Sequence, residues 1–404
     1  GTFSAANLGT FNRTGGSVNV IGTLNNAGST LDIGSAGIFG AGGLTSLGIN
    51  TFRGTILSGT VVSGDATPLT MFTSWSALDG VTLGDATHNA LTLTTGLSVA
   101  IDNGITLADG FALNFGSSGW NMNGNSEIVT PGTATINIAG GTLNSNLAGS
   151  VLTIGDGITI TGRGTVNGDA NASIFNYGTL DASISGQNLT VAVSGTGTLT
   201  NNGILRSSTG NLVLSGVTTL AGKLDVGTSV STSNTSLTNS GTITGAGTLN
   251  LGAANTLTND GFINPAGVNG TGTLSITGNL LNSPTGKVQM EINGTTAGQY
   301  DVLAVSGTAD ITNGQLLLGG TGGVGSYPVL TATSVTGTFP SVGGLFTLTQ
   351  TNNTSNLTLA VTANKAAGYT YWDGGAGTLN WLDDANWSTD LAPSASTSLY
   401  LPST

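Results

Sequence analysis

The stretch Asn239-Ser240-Gly241-Thr242-Ile243-Thr244-Gly245-Ala246-Gly247-Thr248-Leu249 contains both of the phrases that recur along this chain. The first, Gly-x-Gly-Thr followed by Leu or Val, stands at 162–166, 195–199, 245–249 and 270–274. The second is Asn, then Gly within two residues, then an apolar strand. It occurs at Asn176-Tyr177-Gly178, Asn202-Gly203, Asn239-Ser240-Gly241 and Asn259-Asp260-Gly261. Short alternating runs such as Val151-Leu152-Thr153-Ile154, Ile158-Thr159-Ile160 and Leu274-Ser275-Ile276 lie between them. Period-two alternation marks strands with one buried face. Gly and Asn supply the positive-φ corners that join such strands.

Hairpins in a sandwich or barrel would call for two-residue turns and longer strands at regular spacing. A parallel solenoid needs a turn at each corner and a phrase that returns once per coil. The first phrase returns after 33, 50 and 25 residues and the second after about 26, 37 and 20, as expected for coils with loops of variable length. Values near 25 suit a three-sided coil. The sequence therefore predicts an all-β fold, a parallel β-helix whose inward Leu, Ile, Val and Phe stack from coil to coil. About 350 residues at ~22 per coil would make ~16 coils and a rod of ~75 Å.

Composition agrees with that architecture. The 404 residues include 67 Gly, 8 Pro and no Cys, with 6% charged residues, a net charge of −12 and mean hydropathy of +0.22. Two Glu and seven basic residues are too few for a helical protein. Hydrophobic content of 38% is too high for a disordered one. The seven cations are scattered singly, which excludes nucleic acid as a partner. No apolar run approaches the ~20 residues of a membrane helix, so no membrane insertion of this segment is expected. Stacked coils place equivalent residues directly above one another, and like charges in register repel. Outward positions are accordingly expected to be Thr, Ser and Asn in hydrogen-bonded ladders.

Three segments follow. Residues 1–286 read as parallel β-helix. Residues 287–363 read as terminal, broader coils, because 287–292, 300–305 and 327–330 are longer strands with bulkier side chains. Residues 364–404 read as a separate, apparently truncated β module rich in Trp and Tyr: Tyr369, Tyr371, Trp372, Trp381, Trp387 and Tyr400.

Several stretches resemble a known family. Asn25-Asn26-Ala27-Gly28-Ser29-Thr30-Leu31-Asp32-Ile33, Asp79-Gly80-Val81-Thr82-Leu83, Gly241-Thr242-Ile243 and Gly298-Gln299-Tyr300-Asp301 with 305–309 are similar to filamentous-haemagglutinin-like exoproteins and autotransporter passenger domains of Gram-negative bacteria. The segment Tyr371-Trp372-Asp373-Gly374-Gly375, Asn380-Trp381 and Asp384-Ala385-Asn386-Trp387-Ser388 resembles a module that recurs in those proteins. The resemblance implies a right-handed parallel β-helix, secreted unfolded across the outer membrane and folded outside the cell. It implies a piece of a longer chain or a processed repeat unit, since neither the family's secretion-recognition domain nor its transmembrane barrel is in the sequence.

Chemistry is sparse. A glycosidase needs two carboxylates flanking one sugar bond. Asp79, Asp85, Asp102, Asp109, Asp156 and Asp169 could converge across neighbouring coils, but their Asp-Gly contexts read as turn caps. Asp383-Asp384 are expected to be turn residues. His88 is the only His, expected at a solvent-exposed loop tip, and no motif calls for a metal or cofactor. Thr-x-Thr triplets at 92–94, 159–161, 242–244 and 256–258 would bind ice only if stacked in register on one flat side. The six aromatic residues of 364–404 are the candidate contact for assembly or for a surface glycan. A module of that size also needs aromatic area simply to make a core. The residues thus predict a non-enzymatic extracellular rod, a segment of a surface fibre or adhesin, joined head to tail or continuing in a longer chain. The alternative is a carbohydrate-binding or polysaccharide-cleaving β-helix.

Overall fold

A computed structural model describes residues 1–4, 7, 21–40, 54–71, 76–95, 98–117, 119–169, 171–364, 369–372, 380–388 and 391–400. The fold is an all-β parallel solenoid with 55% strand and about 13 turns. There is no α-helix among the described residues; helical geometry is limited to 3-10 turns such as Asp384–Asn386. The chain divides into two compact units, 1–217 and 218–404.

The second unit shows the coil in its simplest form. One turn consists of the strands Leu237–Asn239, Thr242–Gly245 and Thr248–Asn250. The next consists of Thr256–Asn259, Phe262–Pro265 and Thr273–Thr277. Each strand pairs in parallel with its equivalent, as in Asn239↔Asn259, Ile243↔Ile263 and Leu249↔Ile276. The stretch 239–249 thus holds two corners and two of the three sides. Each side turns one or two Leu or Ile inward, and Leu237, Ile243, Leu249, Leu257, Ile263, Leu274 and Ile276 are all at most 1% exposed. Burying such a side chain contributes about 1.5–3 kcal/mol. The corner glycine is required by close stacking. A Cβ at Gly241 would stand 2.0 Å from the Ala221 carbonyl oxygen, and one at Gly261 would stand 2.2 Å from that of Gly241.

The first unit builds the same three sides with longer strands that bend through a corner. Ala134–Ser145 follows Ile158–Gly168 along two sides, with a register shift between Ala139 and Thr142. Gly140, at φ +107°, makes that corner without interrupting the strand.

Asparagine ladders run both outside and inside the coil. The outward ones expected from sequence are present, for example Asn137 Nδ2 donating to Asn114 Oδ1 at 2.9 Å. The better buried ones stand at an inner corner, at the Asn-Gly phrase itself. In the first unit Asn176 Nδ2 donates to Asn201 Oδ1 at 2.7 Å. In the second, Asn239 donates to Asn259 at 2.9 Å and Asn259 to Asn282 at 2.8 Å. The first-unit ladder starts at Asn176, because the residue in register one turn earlier is Ile154. Asn176 Oδ1 is accordingly buried without a partner.

About 13 turns, rather than ~16, follow from coils longer than ~22 residues both early and late in the chain; Thr23 and Thr55, in register on adjacent turns, are 32 residues apart. Asn279 and Thr308 are 29 residues apart yet hydrogen-bonded between adjacent turns. The extra length includes an excursion after Ile292 that closes on itself, with Asn293 N–H donating to Gln299 O at 2.8 Å.

An antiparallel hairpin has no counterpart in the sequence reading. Asn356–Asn364 pairs antiparallel with both Gly325–Thr331 and Phe346–Asn352. Asn352 Nδ2 donates to Val335 O and Gly337 O, and Gln350 exchanges two hydrogen bonds with the Phe339 backbone. These bonds satisfy backbone groups of a late turn. Asn356–Asn364 thereby covers the edge of Gly325–Thr331 that would otherwise stand unpaired.

Candidate functional site

The aromatic residues of the C-terminal segment come together, but in different roles. Thr370–Tyr371 pairs in parallel with Leu399–Tyr400, bringing Tyr371 and Tyr400 into register. Trp372 and Trp387 form an antiparallel bridge. Their rings meet edge to face at 5.2 Å, and Trp381 meets Trp387 edge to face at 4.4 Å. Trp372 and Trp381 stack at 6.4 Å with 29° between planes. Trp387 is the hub, fully buried, with its indole N–H donating to Trp381 O at 2.9 Å. Trp381 is 43% exposed, Tyr369 50% and Leu382 73%. Residues 373–379, with the Asp-Gly-Gly part of the motif, lie outside the described residues.

Asp383 and Asp384 flank and open the 3-10 turn. Asp383 accepts from Asn380 Nδ2 at 2.9 Å and Asp384 accepts from Ala392 N–H at 2.7 Å. The turn chemistry of these acids holds the loop over the Trp cluster.

Tyr371 ties this segment to the solenoid of the same unit. Its buried hydroxyl oxygen accepts from Gly320 N–H at 3.0 Å. Tyr371→Phe leaves that amide unsatisfied, at a cost of about 1–3 kcal/mol. Faster hydrogen exchange at Gly320 and faster proteolysis after residue 364 are the expected results, with the rest of the coil protected as before.

The structure places the candidate acids along the strands and corners of the coil. Asp79 and Asp102 stand in register on adjacent turns, an exception to the expected avoidance of stacked charge. An amide from the following turn relieves each: Asn103 Nδ2 donates to Asp79 at 2.6 Å and Asn123 Nδ2 to Asp102 at 2.7 Å. Asp109 accepts from Thr133 N–H at 2.8 Å, one turn away, and Asp156 caps its own corner at Gly157. Asp169 sits beside a corner, its backbone N–H donating to Ser145 O at 2.9 Å. Asp85 accepts from Thr87 and His88 backbone N–H groups, both at 2.8 Å. Its carboxylate lies 2.9 Å from His88 Nδ1. Those hydrogen bonds, first among them the Thr87 amide, hold Asp85 far below the usual carboxylate range. His88 thus sits partly exposed in that turn, its ring held against Asp85.

A cleft of about 550 Å³ in the first unit is lined by Asn103, Thr106, Asn125, Glu127 and Thr153. It contains one carboxylate, where acid–base hydrolysis needs two. The Thr-x-Thr triplets 242–244 and 256–258 belong to different ladders, so they form no common face. No group of three or more His, Asp or Glu suited to a metal occurs among the described residues.

Sequence reasoning missed a buried acidic pair in the second unit. Asp301 and Glu291 are 0% and 2% exposed. Asp301 accepts from Gly272 N–H at 2.8 Å and from Glu291 N–H at 2.9 Å. Gln289 Nε2 donates to Glu291 Oε1, and the Asn264 amide, oriented with nitrogen toward it, reaches Glu291 Oε2 at 3.2 Å. Burial raises Asp301 to about 6, opposed by its hydrogen bonds from Glu291 and Gly272. The only sequence signal was the bulkier character of 287–305. Sealed from solvent, the pair cannot flank a substrate bond.

The fold and these sites define a parallel β-solenoid with a C-terminal aromatic cluster. Neither a protein-family model nor a curated protein matches the chain.

Proposed function

We propose that this chain is a non-enzymatic structural element of a bacterial surface fibre or adhesin, working outside the cell. The observation that carries the reading is the use made of its few acids. Asp32 accepts from Gly64 N–H, Asp65 from Ser35 N–H, Asp109 from Thr133 N–H and Asp181 from Ser208 N–H, each bridging adjacent turns. Charge that an enzyme would aim at a substrate is spent on stapling one coil to the next. Stacked coils with satisfied corners give length and resistance to proteases. The hairpin over one late edge directs self-association toward side chains instead of strand addition there, and Trp381 with Leu382 is the exposed apolar surface that serves it.

Negative-stain electron microscopy and sedimentation of the chain at rising concentration test this. End-to-end assemblies that disappear in Trp381→Ala/Leu382→Ser support the proposal. Discrete monomers at every concentration overturn the self-association, and polysaccharide cleavage abolished by a single Asp→Ala change overturns the structural reading.

A further inference from the structure

One face of the first unit carries its outward side chains as an array. The strands Phe111–Phe115, Ala134–Ser145, Ile158–Gly168 and Thr179–Ala182 stack there in parallel. Register places Thr135, Thr159 and Thr179 in one column, and Asn114, Asn137 and Thr161 in a second, two residues further along. The columns are bonded across turns, Asn137 to Asn114 at 2.9 Å and Thr161 Oγ1 to Ser183 Oγ at 2.7 Å.

Two open clefts lie at opposite ends of these strands. The first, of about 280 Å³, holds Tyr177 and Asp156 beside Thr159 and Thr179. Tyr177 is 45% exposed. The second, of about 500 Å³, runs past Asn114, Asn137 and Thr161 to Arg163. Arg163 is exposed and makes no hydrogen bond or ion pair among the described residues. Its guanidinium rests over the preceding turn's corner, with Cζ 3.6 Å from where a Cβ on Gly140 would be. The second column's next member, Asp181, stands in register with Arg206 and accepts from Ser208 N–H at 3.2 Å. From Thr159 to Arg163 the strand advances ~13 Å.

We propose that this face binds an acidic oligosaccharide, one containing uronic acid. Tyr177 offers an apolar ring face with a polar tip, the shape that stacks on a sugar ring. Thr hydroxyls and Asn amides both donate and accept, as sugar hydroxyls require. Arg163 supplies the planar fork that pairs a carboxylate with two hydrogen bonds. A peptide strand would need a free sheet edge, whereas the backbone here is paired on both sides. The site is independent of assembly, so a chain that fails to form fibres still tests it.

Calorimetric titration of the full chain with tetragalacturonic acid, and with its methyl ester as the uncharged counterpart, decides the matter. The acid tetramer binds and the ester binds more weakly. Arg163→Gln lowers affinity for the acid by about tenfold and leaves the ester unchanged. Arg163→Lys falls between, and Tyr177→Ala weakens both ligands. Raising the salt concentration weakens only the acid. Unaltered circular dichroism of the variants shows that they fold. No binding at millimolar tetramer, equal affinity for acid and ester, or Arg163→Gln without effect each overturns the proposal.

Discussion

Asn259→Ala is expected to destabilise the second unit by about 3 kcal/mol, while Asp260→Ala, one residue on, changes it by less than ~0.5 kcal/mol. Asn259 is fully buried in mid-ladder. Its Oδ1 accepts from Asn239, and its Nδ2 donates to Asn282 Oδ1 at 2.8 Å and to Lys287 O at 3.2 Å. Alanine removes all three bonds at once. Asn282 Oδ1 is left buried without its donor, and an orphaned buried group costs about 1–3 kcal/mol on top of the bonds to Asn239 and Lys287 O that are lost. Asn259→Asp is no remedy, because a carboxylate cannot donate to Asn282 and its charge would be buried. Asp260 is exposed, so its truncation removes nothing the coil depends on. Hydrogen exchange is the suitable readout, since stability in stacked repeats is local. Protection should fall in Leu237–Asn239, Thr256–Asn259 and Asn279–Asn282 and persist in the first unit. Equal loss from both substitutions would refute the ladder's importance.

Asp301 is expected to make the second unit more stable near pH 4.5 than near pH 7.5. Its folded-state pKa is raised from 3.8 to about 6, mainly by burial. The folded chain therefore holds a proton in the window between those values that the unfolded chain has released, and stability falls as pH rises through it. Above the window the cost is complete, on the order of 3 kcal/mol at 1.36 kcal/mol per unit. Asp301→Asn should flatten the profile between pH 4 and 7. It should also lower the acid-side stability by about 1 kcal/mol, because an amide cannot accept from both Gly272 and Glu291 N–H groups. Thermal unfolding across that range, compared between the two proteins, measures both effects. Asp65 and Asp85 lie outside the window, because hydrogen bonds depress both and their contribution is lost only at lower pH. Parallel pH profiles for wild type and variant would show that Asp301 is not the titrating group.

The recurring phrases were legible because each carries a local requirement. Gly241 and Gly261 have no room for a Cβ, and the alternating strands turn apolar residues inward on every side. What the phrases mean in three dimensions was only half visible. In Asn201-Asn202-Gly203 the two asparagines are chemically identical, yet Asn201 is 1% exposed and joins the ladder while Asn202 faces solvent. Only the register Asn176↔Asn201 distinguishes them. The Trp cluster was likewise evident as a composition change, but not that Trp387 forms its core while Trp381 remains exposed. Glu291 and Asp301, ten residues apart, gave no sign of meeting, because an excursion after Ile292 returns the chain at Tyr300 to bridge back onto Ile292.

The sequence by itself determined the all-β class, the three-sided parallel coil and the scarcity of charge, since stacking identical positions favours Gly, Thr and Asn and penalises like charges in register. Only the tertiary structure decided which Asn side chains turn inward, which acids staple turns, how a late edge is covered, and that Tyr177 and Arg163 share one face. These depend on coil length and register, which vary with each loop and bring together residues 20 positions apart in one place and 34 in another.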